Sequence, residues 1–161
     1  MEEFIEYFAF GSNLHIGQMK DRGIEIIETE IAQLPGWKLA FTIYSKNWGG
    51  GVGDIVPCSN DKVEGVIYTI HKKGLEKLDH YEGRDIKNEM DIGMYRRQHI
   101  PVKTKKGWKT VLTYTVNRTP EYKKRSCIKP SSEYLDTIIK GAVEHNLSED
   151  YIERLKNIKC R

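Results

Sequence analysis

The apolar pattern of this chain changes period once, and that change limits the architectures open to it. As far as about residue 117, apolar residues fall in short runs and alternations of strand type. After Pro130 they recur with helical spacing. Strands gathered early and helices late point to an α+β fold: a small mixed or antiparallel sheet, of a kind that can close into a β-barrel, with flanking helices. At 161 residues, with no repeat or linker, the chain reads as a single domain over residues 1–161.

The individual elements follow from local signals. Ile5 to Phe10 is short, aromatic and apolar, and stops at the turn-forming Gly11-Ser12-Asn13. Leu14 to Lys20 reads as a short helix with Asn13 as its N-cap. Trp37 to Tyr44 reads as a strand behind a Pro35-Gly36 turn, and Val63 to Ile70 as another. Tyr95 to Val102 and Thr110 to Asn117 alternate around a Lys106-Gly107 hairpin turn, with Pro101 favouring a sheet edge. Lys72 to Tyr81 spaces Leu75 and Leu78 as on a surface helix. After Pro130, Ser131 or Ser132 can cap a helix whose Leu135, Ile138, Ile139 and Ala142 share a stripe. Ser148 can cap a last helix carrying Ile152, Leu155 and Ile158.

Composition removes several function classes. Lys and Arg number 26 against 23 Asp and Glu, a balance too even for a nucleic-acid partner. Lys103, Lys105, Lys106, Lys123, Lys124 and Arg125 form two short patches without a readable motif. No stretch approaches the ~18 apolar residues of a membrane span. Met1-Glu2-Glu3 is acidic where a signal peptide is basic, and Cys58, Cys127 and Cys160 are scattered, so a cytoplasmic protein with reduced thiols is expected. His15, His71, His80, His99 and His145 fall in no metal-ligand spacing, so no metal site is expected. Gly49, Gly50, Gly51 and Gly53 lack the Lys-Ser/Thr of a phosphate-binding loop.

Two features carry chemistry. A strand that stops at Gly11-Ser12 turns consecutive backbone N–H groups out of the sheet, an array able to hold a carboxylate or an oxyanion. Glu82, in Leu78-Asp79-His80-Tyr81-Glu82-Gly83, ends a helix, where the negative end of the dipole and partial burial both raise a carboxyl pKa toward neutrality. Taken alone, the first reads more readily as an ordinary turn and the second as a solvated glutamate.

Together and in this order they resemble the γ-glutamylcyclotransferase family, which includes AIG2-like proteins. Tyr7-Phe8-Ala9-Phe10-Gly11-Ser12-Asn13-Leu14 is similar to its opening motif. Gly65-Val66-Ile67-Tyr68, Leu78–Gly83 followed by Met94-Tyr95, Pro130–Tyr134 and Lys140–Leu147 resemble later family segments. The resemblance implies an α+β fold around a small mixed β-barrel with one deep pocket. It implies release of 5-oxoproline from a small-molecule γ-glutamyl amide, with no metal or organic cofactor. On the family pattern Glu82 is the general base and then acid. Tyr7, Phe8, Ala9, Phe10, Gly11 and Ser12 bind the γ-glutamyl head. Tyr95, Tyr114 and Tyr134 lie near the pocket, although each reads equally as core except Tyr134, which is favoured for the site. Asn13 is expected to cap the loop rather than touch substrate. Homodimers occur in the family.

Two departures stand out. Phe10 replaces a frequent Tyr. The stretch Arg84 to Gly93, with Arg84, Asp85, Lys87, Glu89 and Asp91, is longer than in the animal enzymes and reads as a candidate lid on the leaving-amine side. Family members act on γ-glutamyl amino acids, on γ-glutamylamines such as γ-glutamyl-ε-lysine, or on γ-glutamyl-protected biosynthetic intermediates. The alternative outside catalysis is a small-metabolite-binding protein of the same fold.

Overall fold

The computed structural model describes residues 3–82, 95–116 and 127–161. Among the described residues there are five strands: β1 (Phe4–Ala9), β2 (Ile26–Ser45), β3 (Gly50–His71), β4 (Tyr95–Thr104) and β5 (Gly107–Val116). Four α-helices accompany them: α1 (Ile16–Asp21), α2 (Leu75–Tyr81), α3 (Ser132–Glu144) and α4 (Glu149–Lys156). The strands close on themselves in the order β1-β3-β2-β4-β5, antiparallel except for one parallel contact at Tyr7↔Leu112. The α+β barrel with flanking helices is therefore present. The candidate lid at 84–93 and the second half of the Lys/Arg patches lie outside the described residues.

Alternation along β1 divides the molecule into two cores. Phe8 and Phe10 point into the barrel, where they meet Ala32 and Leu34 of β2, Ile55, Val63 and Ile67 of β3, Ile100 and Val102 of β4 and Val111 of β5. Tyr7 and Ala9 point outward, into a second core with Tyr68, Leu112, Tyr114 and Val116 under the helices. Both faces of β5 are buried from Val111 to Val116: Leu112, Tyr114 and Val116 lie in the outer core, and Val111 lies in the barrel.

Strand β2 is longer than its sequence suggests. Instead of a turn at Pro35-Gly36, one strand runs through a bulge: the register jumps from Pro35↔Lys62 to Trp37↔Pro57, and Gly36 takes φ 85°. Its first half was hidden by charge. Glu30 faces outward and, with Glu6 of β1, holds Lys109 of β5 at 3.1 and 2.7 Å. The glycines after the β2–β3 turn serve backbone approach. A β-carbon on Gly51 would overlap Ile128, whose segment crosses there through Gly51 N–H to Lys129 O (3.0 Å) and Ile128 N–H to Phe41 O (2.9 Å).

The helices are placed by caps and one close contact. Ser131 and Ser148 accept from Tyr134 N–H and Tyr151 N–H, so both expected caps form, each 3.2 Å long. Asn13 does not cap α1. It lies in a single 3-10 turn, Ser12–Leu14, while Glu144 of α3 accepts from Ile16 N–H at 3.1 Å and takes the capping role. Helix α3 lies directly on that turn at Gly141, where a β-carbon would overlap the backbone of Leu14 and His15. The Leu14 carbonyl is gripped from below by the Tyr68 hydroxyl and met by His145 Nε2, both at 2.8 Å.

This contact fixes the sign of a mutation. In an open helix Gly→Ala stabilises by about 1 kcal/mol. Here Gly141→Ala is expected to destabilise by about 1–3 kcal/mol, because α3 must lift off the turn. Thermal unfolding of the variant checks this; a raised Tm would show that the contact is looser than described.

Candidate active site

The turn that α3 holds opens onto a cavity of about 330 Å³. One wall is Tyr7, Phe10 and the Gly11-Ser12-Asn13 turn. A second is Glu82 with its neighbours His80 and Tyr81. A third is the β2–β3 hairpin with Ser45, Asn47, Trp48 and Gly53. Arg22, Val52, Tyr95, Tyr114 and Tyr134 complete the lining among the described residues. The two features singled out in the sequence, far apart along the chain, therefore share one cavity. Phe8 and Ala9 do not line it: both are fully buried, Phe8 inside the barrel and Ala9 beneath the helices. Strand alternation buries the Phe8 side chain in the barrel, and β1 pairs with β3 through Ala9↔Val66.

Glu82 is delivered by α2. Its N–H closes the helix on Leu78 O at 2.9 Å, and its carbonyl accepts from Tyr95 N–H of β4 at 3.1 Å. The helix is pinned one turn earlier by buried Asp79. That carboxylate is forked by Arg97 of β4 and accepts from the Tyr114 hydroxyl of β5 at 2.5 Å. The side chain of Glu82 keeps 15% of its exposure. Burial pushes its pKa up to about 7, the nearby Arg22 charge draws it down, and Asp79 raises it again. Desolvation, rather than the dipole of a seven-residue helix, is the main cause.

Asn13 is the residue whose role the sequence misled on. Its Nδ2 donates to the Tyr7 hydroxyl at 3.0 Å and to Glu82 Oε1 at 3.4 Å, and its Oδ1 accepts from Arg22 Nη1 at 3.0 Å. It joins the two halves of the site. Arg22 itself, just beyond α1, was not singled out. Only its distance from Glu82, 4.0 Å in space and 60 positions in sequence, brings it in.

The tyrosines are braced. Tyr95 donates to Gly53 O at 2.6 Å, and Tyr114 is committed to Asp79. Tyr134 accepts from Gly53 N–H at 2.8 Å, which leaves its own hydroxyl hydrogen to be donated elsewhere. Gly11 and Gly53 both make room for this hydroxyl, since a β-carbon on either would stand 3.1 Å from it. Close approach at Gly11 is thus first an approach of Tyr134. Trp48 packs edge-on against the same ring, centroids 5.1 Å apart. Burial holds the Tyr7, Tyr95, Tyr114 and Tyr134 hydroxyls well above the usual phenol range, so they are neutral donors or acceptors at physiological pH.

Known proteins are similar to this chain along almost its whole length. Residues 62–155 match the model of the AIG2-like family. Mouse γ-glutamylcyclotransferase is 32% identical over 158 residues, covering 95% of this chain and 78% of the relative. Human γ-glutamylcyclotransferase is 32% identical over 163 residues, covering 98% and 80%. A solved γ-glutamyl cyclotransferase superposes with a TM-score of 0.84 at 30% identity, covering 99% of this chain and 90% of that one. A yeast γ-glutamyl cyclotransferase specific to glutathione has a TM-score of 0.62 at 13% identity over 94% and 93% of the two chains, a likeness of fold alone. Sequence, fold and cavity agree, and the chain belongs to the AIG2-like family, among its γ-glutamylcyclotransferase enzymes.

Proposed function

We propose that this enzyme releases 5-oxoproline from γ-glutamyl amides, with Glu82 carrying the proton. The observation that supports this most directly is a partly buried carboxyl group, its pKa pushed up to about 7, lining the same cavity as the Gly11-Ser12 turn. The substrate's α-amine and γ-carbonyl belong to one molecule. The protein therefore has mainly to fold the substrate into a ring-closing shape and relay protons from the attacking to the leaving nitrogen. Glu82 takes a proton from the α-ammonium. The freed amine attacks the γ-carbonyl carbon, and the carbonyl electrons move to oxygen. Collapse of that intermediate breaks the bond to the leaving nitrogen, which takes the proton from Glu82. The restored carboxylate then takes the second hydrogen from the ring nitrogen and passes it to the departing amine, so the products are 5-oxoproline, with one hydrogen on its ring nitrogen, and an ammonium, and the carboxylate is free again.

In this reading the amides of Gly11 and Ser12 hold the γ-glutamyl head, and Tyr7 and Tyr134 offer hydroxyls beside it. Phe10 supplies a ring to the wall without a hydroxyl. Tyr95 and Tyr114 shape the cavity while their hydroxyls hold Gly53 and Asp79. Curated relatives at about 30% identity are γ-glutamylcyclotransferases, which supports γ-glutamyl amino acids as the substrate class.

Glu82→Gln is expected to lower 5-oxoproline release at least a hundredfold on a panel of γ-glutamyl amides. Near-normal turnover would remove Glu82 from the mechanism. A panel that yields no 5-oxoproline with the unaltered protein would favour a binding protein instead.

The wild-type rate should rise with pH through about 7, as the base ionises. Stability should move the other way. Between the ordinary carboxyl value of 4.5 and about 7 the folded chain binds more protons at Glu82 than the unfolded chain does. Stability therefore falls as pH rises through that window. Glu82→Gln should accordingly be more stable than wild type at pH 8, by on the order of 2 kcal/mol, and nearly equal at pH 4. Denaturant melts at the two pH values check this, and an equal or lower stability at pH 8 would contradict the burial cost.

A further inference from the structure

Arg22 is the one Arg or Lys among the described residues that line the cavity. Its side chain is 14% exposed and its guanidinium lies over the Tyr81 ring, 4.8 Å from the centroid. Stacking on one side and the cavity on the other leave the group little freedom. Nη1 meets two acceptors, Asn13 Oδ1 at 3.0 Å and Glu82 Oε1 at 4.0 Å.

Donor chemistry fixes what this contact does. A guanidinium only donates, so the Asn13 atom facing it must be the carbonyl oxygen, and the NH₂ must face the other way. That is where Tyr7 and Glu82 lie. Arg22 thus decides the orientation of an amide that would otherwise be free to turn its oxygen toward Glu82 and repel it. Both the amide hydrogen and the guanidinium charge reach the same carboxyl oxygen, Oε1. Among the described residues no side chain donates to Oε2.

We propose that Arg22 is a positioning residue for Glu82: it sets the Asn13 carboxamide, holds Oε1 by charge, and leaves Oε2 as the oxygen that exchanges the proton. This rests on the reading of Glu82 as the proton carrier. Among the described residues, the other groups that face Glu82 are as follows. Tyr7 of β1, Tyr95 of β4, Tyr114 of β5 and Tyr134 of α3 stay neutral through the relevant range. Asp79 of α2 is negative but paired with Arg97. His80 also lines the cavity and is titratable, its ring 5.3 Å from that of Tyr81. Arg22 is accordingly the cation whose removal should be felt at Glu82.

The test reads the carboxyl group itself. The Glu82 side-chain carbon is assigned by ¹³C NMR from the signal lost in Glu82→Gln, and titrated in wild type, Arg22→Met, Arg22→Gln and Arg22→Lys. The two neutral variants are expected to move the Glu82 midpoint up by about one pH unit, because an opposite charge within ~4–6 Å has been removed. Arg22→Lys, which keeps the charge, is expected to move it by much less. The acidic limb of the kcat profile should move with the midpoint, while KM changes little. Using two neutral variants keeps the test open if one fails to fold.

A midpoint that stays put in a folded neutral variant overturns the proposal. So does a raised KM with an unshifted midpoint, which would make Arg22 a substrate contact. A shifted midpoint without a shifted rate profile would leave Arg22 in its place and instead overturn Glu82 as the proton carrier.

Discussion

Keeping a carboxyl group partly out of water costs free energy, and much of the described structure around the cavity is organised about that cost at Glu82. The helix that presents it is short and would not hold a fixed position alone. It is held by Leu78 in the core and by Asp79, whose carboxylate binds β4 through Arg97 and β5 through Tyr114. The same two strands contribute Tyr95 and Tyr114 to the cavity wall. One carboxylate in the α2 motif is thus spent on structure, with its charge compensated, so that the next can remain poorly compensated. The two acids, three residues apart, differ in charge compensation because their surroundings differ.

The opposite wall depends on packing rather than charge. The Gly-Ser-Asn turn is set where it is because α3 can press on it at Gly141 and because Tyr68 and His145 grip the Leu14 carbonyl. Helix α3 also brings Tyr134, whose hydroxyl enters between Gly11 and Gly53. The late helices, remote from the turn in sequence, therefore shape the site as much as the early strand does.

What could be read from the sequence followed how local the signal was. Caps at Ser131 and Ser148 and the apolar stripe of α3 depend on residues a few positions apart, and they stand as expected. The first half of β2 did not show, because Glu28 and Glu30 break its apolar pattern and its charge is answered by Lys109 across the sheet. Pro35-Gly36 carries a turn signal that the long β3 partner overrides, turning it into a bulge. At the site, Glu82, Gly11 and Ser12 were legible through motifs. Phe8 and Ala9 were carried along by their neighbours, although alternation alone would have separated Phe8 from Tyr7. Asn13 and Arg22 were not legible in their roles, because each acts through a partner across the fold.

The crossing of residues 128–131 over Gly50 and Gly51 has a bearing on how this cavity can diversify. Bare backbone on both sides locks the root of the β2–β3 hairpin to the start of α3. Beyond that lock, Ser45, Asn47 and Trp48 line the cavity from the tip of the β2–β3 hairpin. Such a tip resembles an interchangeable fitting on a rigid frame. Its side chains can be exchanged to suit a different ligand while the rest of the chamber keeps its shape.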